Sequence, residues 1–388
     1  MSLHPLEYVP AVADESAFLQ DLSKALPVVL GRMFQHQRTL LDSFDGRLYR
    51  DGWILEESRQ GRHREWILRS LPRGLEVHRM EIAGTVRFAS QLPPGPLQSR
   101  LLPLLEGRAL LPCIRLLVKT QSLKIGDDQS QGVVFAEWET FVWDAPAQDP
   151  RPALPGRLVL RPGAGGEEAI LALANQLREG FGLSPAGQSL WIHAISYLDT
   201  QPGHYSTKLD FHFQAEDRAE VVFRHISGHL LDILETNIPG VLADTDEEFL
   251  HDVRVAVRRT RVVLARMEGI LAPESSDRFQ KEFAWLQAVS GPVRDWDVYR
   301  QQLPRYHAIL PVEYQNWLEP LTAYLVQERQ RARRSLLHAL RSERCQRILR
   351  EWRALLEAPL AFNGETNDQP IARLSSGWIW QQYRKARR

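Results

Sequence analysis

Four basic side chains follow one another at helical spacing in the second half of the chain. At about 100° per residue, His251, Arg254, Arg258 and Arg261 fall within one arc of roughly 80°. Arginine presents a planar fork of N–H donors that fits the oxygens of phosphate groups. Because like charges at this spacing repel one another, the stripe requires a counter-charge. The sequence leaves two sources open, carboxylates of a neighbouring helix such as Asp295 and a bound polyanion.

Other basic residues are placed near the same helices by periodicity alone. In segment 314–341, Arg329 and Arg333 project close to the apolar face that is expected to pack in the core. An inward arginine must meet a carboxylate or line a wet, anion-filled cavity, because an unpaired buried charge is costly. Lys281 and Arg384 are further candidates for anion binding, although Arg384 could equally balance the dipole at a helix C-terminus.

The elements that must position these side chains are long helices. From residue 219 onward the pattern predicts helices at 219–236, 246–271, 274–290, 295–303, 314–341, 343–357 and 370–387. The break at 237–240, which contains Pro239 and Gly240, should end the first helix, and Thr245 should cap the second. On the second helix, Val253 and Val257 lie opposite the basic stripe and should face the core.

The first half of the chain has a mixed pattern. Residues 14–30 form an amphipathic helix candidate. Extended runs separated by turn signals are expected at 39–42, 53–58, 65–69, 114–124, 133–140 and 157–161, with helices at 167–181 and 186–199. The sequence therefore predicts an α+β domain followed by an all-α domain.

The charge composition differs between the two halves of the chain. Net charge over the 388 residues is zero, but residues 1–250 carry 24 Lys+Arg against 33 Asp+Glu, and residues 251–388 carry 24 against 15. The basic half, at a net charge of +9 against −9, points to an anionic partner. The two cysteines have no metal-binding spacing, and no apolar run approaches the ~20 residues of a membrane span. With no secretory signal evident, we expect a cytoplasmic protein without membrane association.

Segment 251–261, which reads His-Asp-Val-Arg-Val-Ala-Val-Arg-Arg-Thr-Arg, resembles the signature helix of CHAD domains, the conserved-histidine α-helical domains. Segment 291–298, with Arg294 in an Arg-Asp-Trp-Asp core, resembles the next motif of that family. The resemblance implies a helical bundle with basic inner faces that binds inorganic polyphosphate and associates with polyphosphate granules. It adds Arg259 and Arg294 to the binding candidates. No second basic helix of this type follows, so the second half of a CHAD domain is expected to be missing.

Segment 41–52 resembles part of the CYTH domains, which are triphosphate tunnel metalloenzymes. That resemblance implies an antiparallel β-barrel or sheet with helices. The family's N-terminal Glu-x-Glu-x-Lys motif is absent, and its Arg-x-Arg strand is replaced by a segment that contains Glu56 and Glu57. Glu137 and Glu139 could be a remnant metal pair or a solvent-facing pair on a half-buried strand. We therefore expect a degenerate CYTH-like domain at 1–212 and a CHAD bundle at 219–388.

Three functions follow as hypotheses. The first is non-catalytic binding of polyphosphate or another linear polyanion, with no cofactor, no metal and no catalytic residue. The second is metal-dependent hydrolysis of triphosphate or tripolyphosphate by the first domain. The third is nucleic-acid binding, which the stripe disfavours because aromatic side chains are not interleaved with its cations.

Overall fold

A computed structural model describes residues 6–10, 15–126, 133–145, 151–161, 166–358 and 366–387. The chain divides into two compact units, Met1–Ser206 and Thr207–Arg388. The first unit combines an antiparallel sheet with helices and the second is helical, which confirms the predicted α+β class. Within the described ranges, no helix has both the length and the apolar character needed to cross a bilayer.

The described strands of the first unit form one nine-stranded antiparallel sheet. They are β1 (Leu6–Val9), β2 (Val28–Asp42), β3 (Trp53–Gln60), β4 (His63–Ser70), β5 (Leu75–Glu81), β6 (Leu111–Ile125), β7 (Val134–Trp143), β8 (Arg157–Arg161) and β9 (Ser184–Pro185). Their order is β5-β4-β3-β2-β6-β7-β8-β1-β9, with β5 and β9 at the two edges. The described strands thus form an open sheet, which agrees with the antiparallel sheet of the prediction and not with its alternative, a barrel.

Alternation of side chains explains why the long central strands are stable. In β6, Ile114, Leu116 and Val118 are buried whereas Arg115 and Lys119 point to the other face. Helices pack on the sheet's apolar faces. They are α1 (Glu15–Ala25), α2 (Arg47–Arg50), α3 (Pro96–Leu105), α4 (Gly166–Phe181) and α5 (Leu190–Ile195).

The predicted helix at 14–30 is too long. Helix α1 ends at Ala25 and strand β2 begins at Val28. Pro27 disfavours helical geometry at the residue before it, and the β-branched Val28 and Val29 favour the extended conformation. The apolar side chains that suggested a longer helix therefore belong to two elements.

The second unit contains six α-helices in its described part. They are α6 (Ala219–Ala243), α7 (Glu247–Arg266), α8 (Pro273–Ile309), α9 (Glu319–Arg341), α10 (Glu343–Glu357) and α11 (Ile371–Ala386). A 3₁₀ segment at Val312–Leu318 precedes α9. An aromatic cluster stabilises the bundle: Trp352 of α10 lies 4.6 Å from Phe279 and 5.5 Å from Phe283 of α8, between ring centroids. Val253 and Val257 of α7 are buried, as predicted.

Several predicted helix boundaries are wrong in this unit. Helix α6 continues through Pro239, and α8 continues through Pro292 instead of splitting near residue 290. Burial of Gly240 and Val241 against the bundle outweighs the local cost of the proline, since packing contributes most of a helix's stability in a protein. The cap of α7 is Asp246, whose carboxylate accepts from the backbone N–H groups of Glu248 and Phe249.

Close packing of α6 on α7 gives a prediction with an internal control. A Cβ on Gly240 would lie 2.2 Å from the buried ring of Phe249, whereas a Cβ on Gly228, in the same helix, would meet nothing within 4 Å. Gly240→Ala should lower the free energy of unfolding by about 1–3 kcal/mol because the core is overpacked. Gly228→Ala should raise it by about 0.5–1 kcal/mol through helix propensity. Urea denaturation measures both, and equal effects would contradict the packing described.

Candidate functional site

Arg254 lies where α7 packs against α8. Its side chain is half-buried, and its Nη1 lies 3.4 Å from both the Gln287 carbonyl oxygen and the Ser290 hydroxyl oxygen. A Cβ on Gly291 would lie 3.4 Å from the same nitrogen, at ordinary van der Waals contact, so the guanidinium lies directly against the backbone of α8. These acceptors are neutral and distant, and they satisfy only part of the hydrogen-bonding capacity of the group.

Arg254 belongs to a group of three arginines that we call the α7–α8 cluster: Arg254, Arg258 and Arg294. Burial is the main cause of a lowered pKa of the Arg254 guanidinium; Asp295 opposes this, and the positive charges of Arg294 and Arg258 add to it. Arg294 is half-buried, and its Nη1 is buried without a hydrogen-bond partner. Its ion pair with Glu248 is long, at 3.9 Å. The cluster therefore holds positive charge that is only weakly neutralised.

Three arginines of α7, namely Arg258 of this cluster together with Arg259 and Arg261, have no carboxylate partner among the described residues. Arg258 is exposed and forms no ion pair with the described residues. Arg261 is also exposed, and it donates to the side-chain amide oxygen of Gln287. Arg259 donates to the carbonyl oxygen of Thr207 at 2.5 Å. Arg259 and Arg261 have neutral acceptors, and Arg258 has no ion-pair partner among the described residues. No carboxylate therefore balances the positive charge of these three side chains directly.

His251 and Lys281 lie at the margins of this surface. His251, on α7, is half-buried, and Lys281, on α8, is exposed. Neither forms an ion pair with another described residue. Their side chains therefore have no carboxylate partner among the described residues that would compete with an anion.

Arg329 and Arg333 occupy a different environment, in which carboxylates balance their charge. Arg329 Nε lies 2.5 Å from Oδ1 of the fully buried Asp297, and its Nη2 lies 3.2 Å from Asp244 Oδ1. Arg333 Nε lies 3.3 Å from the same Asp244 oxygen, and its Nη2 donates to Leu242 O. Burial raises the pKa of Asp244, but both arginines outweigh that effect and hold it below its usual value. Arg329 and Arg333 thus have carboxylate partners inside the bundle, which is one of the two alternatives that the sequence left open for inward arginines.

Arg384 lies on α11, where its guanidinium carbon sits 5.4 Å from the centroid of the Trp380 ring. It is exposed and forms no ion pair within the described residues. The structure brings together the α7 stripe and Arg294, pairs Arg329 and Arg333 elsewhere, and places Arg384 on another helix.

The first unit contains a separate cavity of about 490 Å³. Its lining includes five arginines and three glutamates: Arg38, Arg69, Arg73, Arg79, Arg161, Glu7, Glu76 and Glu139. A cavity with this many guanidinium groups could accept an anion, provided that their charge is available. Whether that charge is available depends on the ion pairs that the lining residues form.

Most of the lining arginines are already paired. Arg38 donates to Glu139 from both terminal nitrogens, with one distance of 2.9 Å, and its Nε lies 3.5 Å from Glu56. Arg69 Nε donates to Glu56 at 3.0 Å. Glu56 is buried and also accepts from the indole N–H of Trp191 at 2.9 Å. Buried Glu56 is therefore an ion-pair partner of two arginines that line the cavity.

The carboxylates of this unit do not fit a divalent metal. A Mg²⁺ or Mn²⁺ site needs several oxygen ligands that converge on one point. Glu139 is buried and bonded to Arg38, and Glu137 is bonded to Arg161 at 2.9 Å. No group of three potential ligands occurs among the described residues. Glu139 also does not face solvent, so only Glu137 fits the expectation of a surface position.

Comparison with known proteins identifies the second unit. Residues 225–388 match the family model of the CHAD domain. The crystal structure of a CHAD domain from the plant Ricinus communis is similar at 26% identity and a TM-score of 0.38, covering 47% of this chain and 58% of that one. This chain thus spans less than two thirds of that protein. The chain contains a CHAD domain in its C-terminal part.

Two further solved structures are similar over about half of the chain. A candidate adenylate cyclase from Bacillus halodurans has 13% identity and a TM-score of 0.34, with 49% of this chain and 96% of that chain covered. A candidate adenylyl cyclase from Hippeastrum, described as having a dominant triphosphatase activity, has 16% identity and a TM-score of 0.36, with 53% and 100% covered. Comparison with the curated proteins finds no match.

Sequence reasoning found the stripe but missed part of the cavity's chemistry. Glu56 was visible only as a departure from the Arg-x-Arg strand, and its partners Arg38 and Arg69 carried no motif. Register explains the contacts: Glu56 pairs with Leu40 on one side and with Ile67 on the other, which places Arg38 and Arg69 two residues from its neighbours. A correct strand pairing would have predicted both ion pairs.

Glu56 gives a prediction on acid stability. Burial raises its pKa, but Arg69 and Arg38 overcome this and lower it from 4.5 to about 2. Because the folded-state pKa is depressed, the stabilisation is complete above pH 4.5 and is lost as the pH falls towards 2. Glu56→Gln should therefore lower the free energy of unfolding at pH 7 by roughly 3 kcal/mol, and the deficit should shrink below pH 4.5.

The matched control for this test is Glu137→Gln, which removes the partner of the half-exposed Arg161. Exposed pairs contribute about 0–1 kcal/mol, so this variant should unfold almost like the parent protein. Urea denaturation at several pH values measures both variants. A Glu56→Gln deficit that stays constant from pH 7 to pH 2 would contradict the assigned ion pairs.

Proposed function

We propose that the second unit binds inorganic polyphosphate, or a linear polyanion of the same kind, and does not hydrolyse it. The observation that carries this proposal is the α7–α8 cluster, where Arg254, Arg258 and Arg294 are opposed by the carboxylates of Asp295 and Glu248, the latter 3.9 Å from Arg294, so that positive charge remains in excess. The match to the CHAD family supports it, because the resemblance implies this ligand. Association with polyphosphate granules in the cytoplasm follows as part of the same proposal.

The physical reason is electrostatic. Arginines held close together by packing repel one another, and an anion that lies across them removes that repulsion while it gains charge-assisted hydrogen bonds. Polyphosphate carries roughly one negative charge per phosphate, and binding releases the counterions condensed on it. Affinity should therefore decrease steeply as the salt concentration increases.

Nucleic acid fits the α7–α8 cluster less well than polyphosphate does. Arg254 and Arg294 are half-buried, so the phosphate groups must approach α7 and α8 closely. Among the described residues, the cation–π pairs that the structure shows on α8 involve Arg278 and Arg344 and none of the three cluster arginines. A narrow chain of bare phosphates reaches such a position more easily than a strand that carries bases.

Charge-removing substitutions separate binding from stability. Arg254→Gln with Arg258→Gln should weaken polyphosphate binding by about tenfold or more, since bonds to charged groups contribute about 1.5–3 kcal/mol each. The melting temperature should stay the same or rise, because the variant removes repulsion between like charges. Isothermal titration with polyphosphate of defined length measures the affinity, and calorimetry measures the stability.

Two controls complete this test. Arg331→Gln removes an exposed arginine that is paired with Glu328 on α9, and binding should change little. Arg329→Gln leaves buried Asp297 without its 2.5 Å partner, so it should cost about 3–5 kcal/mol of stability. If Arg331→Gln weakens binding as much as the cluster variant does, non-specific charge is sufficient and the proposed site is wrong.

We further propose that the CYTH-like first unit is not a triphosphatase. The support is the use of its carboxylates as partners for arginines, most clearly Glu56 with Arg38 and Arg69. A triphosphate would need these guanidinium groups free, and a metal would need the carboxylates free. Both requirements conflict with the same ion pairs. The similar structure from Hippeastrum is described as having a dominant triphosphatase activity. Catalysis by the first unit is therefore the alternative that the next experiment tests.

A phosphate-release assay tests this second proposal. The full chain with tripolyphosphate and Mg²⁺ or Mn²⁺ should release phosphate no faster than a sample without protein. Glu56→Gln should free Arg69 from its carboxylate partner, while Arg38 keeps Glu139, and should allow tripolyphosphate to bind the first unit, seen as a thermal shift that the parent protein lacks. Metal-dependent release that Glu137→Gln and Glu139→Gln abolish would instead establish the catalytic function.

A further inference from the structure

Helix α11 presents a face on which aromatic and cationic side chains alternate. At 100° per residue, Arg373, Trp380, Tyr383, Arg384 and Arg387 fall within an arc of roughly 100°. Trp380 is 55% exposed and Tyr383 is 47% exposed. The helix carries no acidic residue between Ile371 and Ala386. This face is therefore open, aromatic and uniformly positive.

The side chains on this face are ordered with respect to one another. The rings of Trp380 and Tyr383 are stacked, with centroids 5.5 Å apart and planes 19° from parallel. Arg384 lies 5.4 Å from the Trp380 centroid and Arg387 lies 5.4 Å from the Tyr383 centroid. Neither arginine forms an ion pair with a carboxylate of the described residues. The guanidinium groups are thus held beside the rings and remain available to an anion.

The first turn of α11 anchors this face to the unit. The backbone N–H of Ile371 donates to Asp217 O at 2.8 Å, and that of Ala372 donates to Ala215 O at 3.2 Å. Leu374 and Trp378, on the side of the helix away from Trp380, are half-buried. The aromatic pair is therefore carried by a fixed element and has its open side towards solvent.

We propose that this face binds single-stranded nucleic acid, with unpaired bases stacked on the exposed parts of Trp380 and Tyr383 and on the guanidinium planes that lie over these rings, and with phosphates paired to the N–H groups of the same arginines. Proteins that bind single strands combine base stacking on aromatic side chains with cations that follow the backbone. The arrangement of charge decides against a membrane surface, since an interfacial helix separates its apolar face from its cationic face. On α11 the cations share the face of the rings.

This site is separate from the α7–α8 cluster, and its ligand differs from polyphosphate in having bases to stack. A polyphosphate chain would use only the arginines of α11. Single strands should therefore bind in a manner that depends on the rings, whereas polyphosphate binding should not. The two proposals can fail independently of each other.

Fluorescence anisotropy with a fluorescein-labelled single-stranded oligouridine of 15 nucleotides tests the proposal on the full chain. Trp380→Ala with Tyr383→Ala should weaken binding by about tenfold or more, because each stacked base contributes about 1–3 kcal/mol. Trp380→Phe should retain most of the affinity. Ile379→Ala is the matched control: it truncates a side chain that is 69% exposed on the same helix but lies outside this face, and it should leave binding unchanged.

Four results would overturn the proposal. Equal affinity of the parent and the double variant would show that charge alone binds the strand, as would equal affinity of the parent for a duplex of the same length. Binding of anionic phospholipid vesicles that depends on Trp380 while oligouridine binding does not would assign the face to a membrane. A change in sedimentation from dimer to monomer in the double variant, without an effect on oligouridine, would assign it to a second copy of the chain.

Discussion

The partial burial of Arg254 beside Arg258 and Arg294 is the physical constraint on which the proposed polyanion site depends. Packing of α7 on α8 holds these groups together, because the opposite face of α7 is fixed in the core by Val253 and Val257. Burial is the main cause of the lowered pKa of Arg254; Asp295 opposes it, and the charges of Arg294 and Arg258 add to it. The folded state thus accepts a partly desolvated guanidinium beside like charges, and an anion bound there, as proposed, would offset part of that cost.

The same residue type has the opposite role elsewhere in the molecule. Arg329 and Arg333 meet Asp297 and Asp244, and in the first unit Arg38 meets Glu56 and Glu139. In these networks each guanidinium has carboxylate partners, and removal of one partner leaves a buried charge. Availability for a ligand therefore depends on the partners of an arginine and not on its exposure alone. The partners of the arginines are thus what distinguishes the proposed polyanion site from the cavity of the first unit.

Sequence predicted the parts of the structure that local periodicity controls. The division into an α+β part and a helical part, the basic stripe of α7 and its buried face all follow from residue spacing. Continuous helices through Pro239 and Pro292 did not, because distant packing outweighs a local stop signal. Strands β1 and β9, with four and two residues, are too short for a clear alternation. The partners of Arg329 and Glu56 depend on which elements are neighbours, and spacing within one element cannot show that.

The most direct test of the central claim is the crystallographic position of a short polyphosphate bound to the full chain. The account predicts phosphate density within hydrogen-bonding distance of Arg254, Arg258 and Arg294, with the ion pair between Arg329 and Asp297 intact. Density that instead lies in the cavity beside Arg38 and Arg69, or that separates Arg329 from Asp297 while the α7–α8 cluster stays free of ligand, would contradict it.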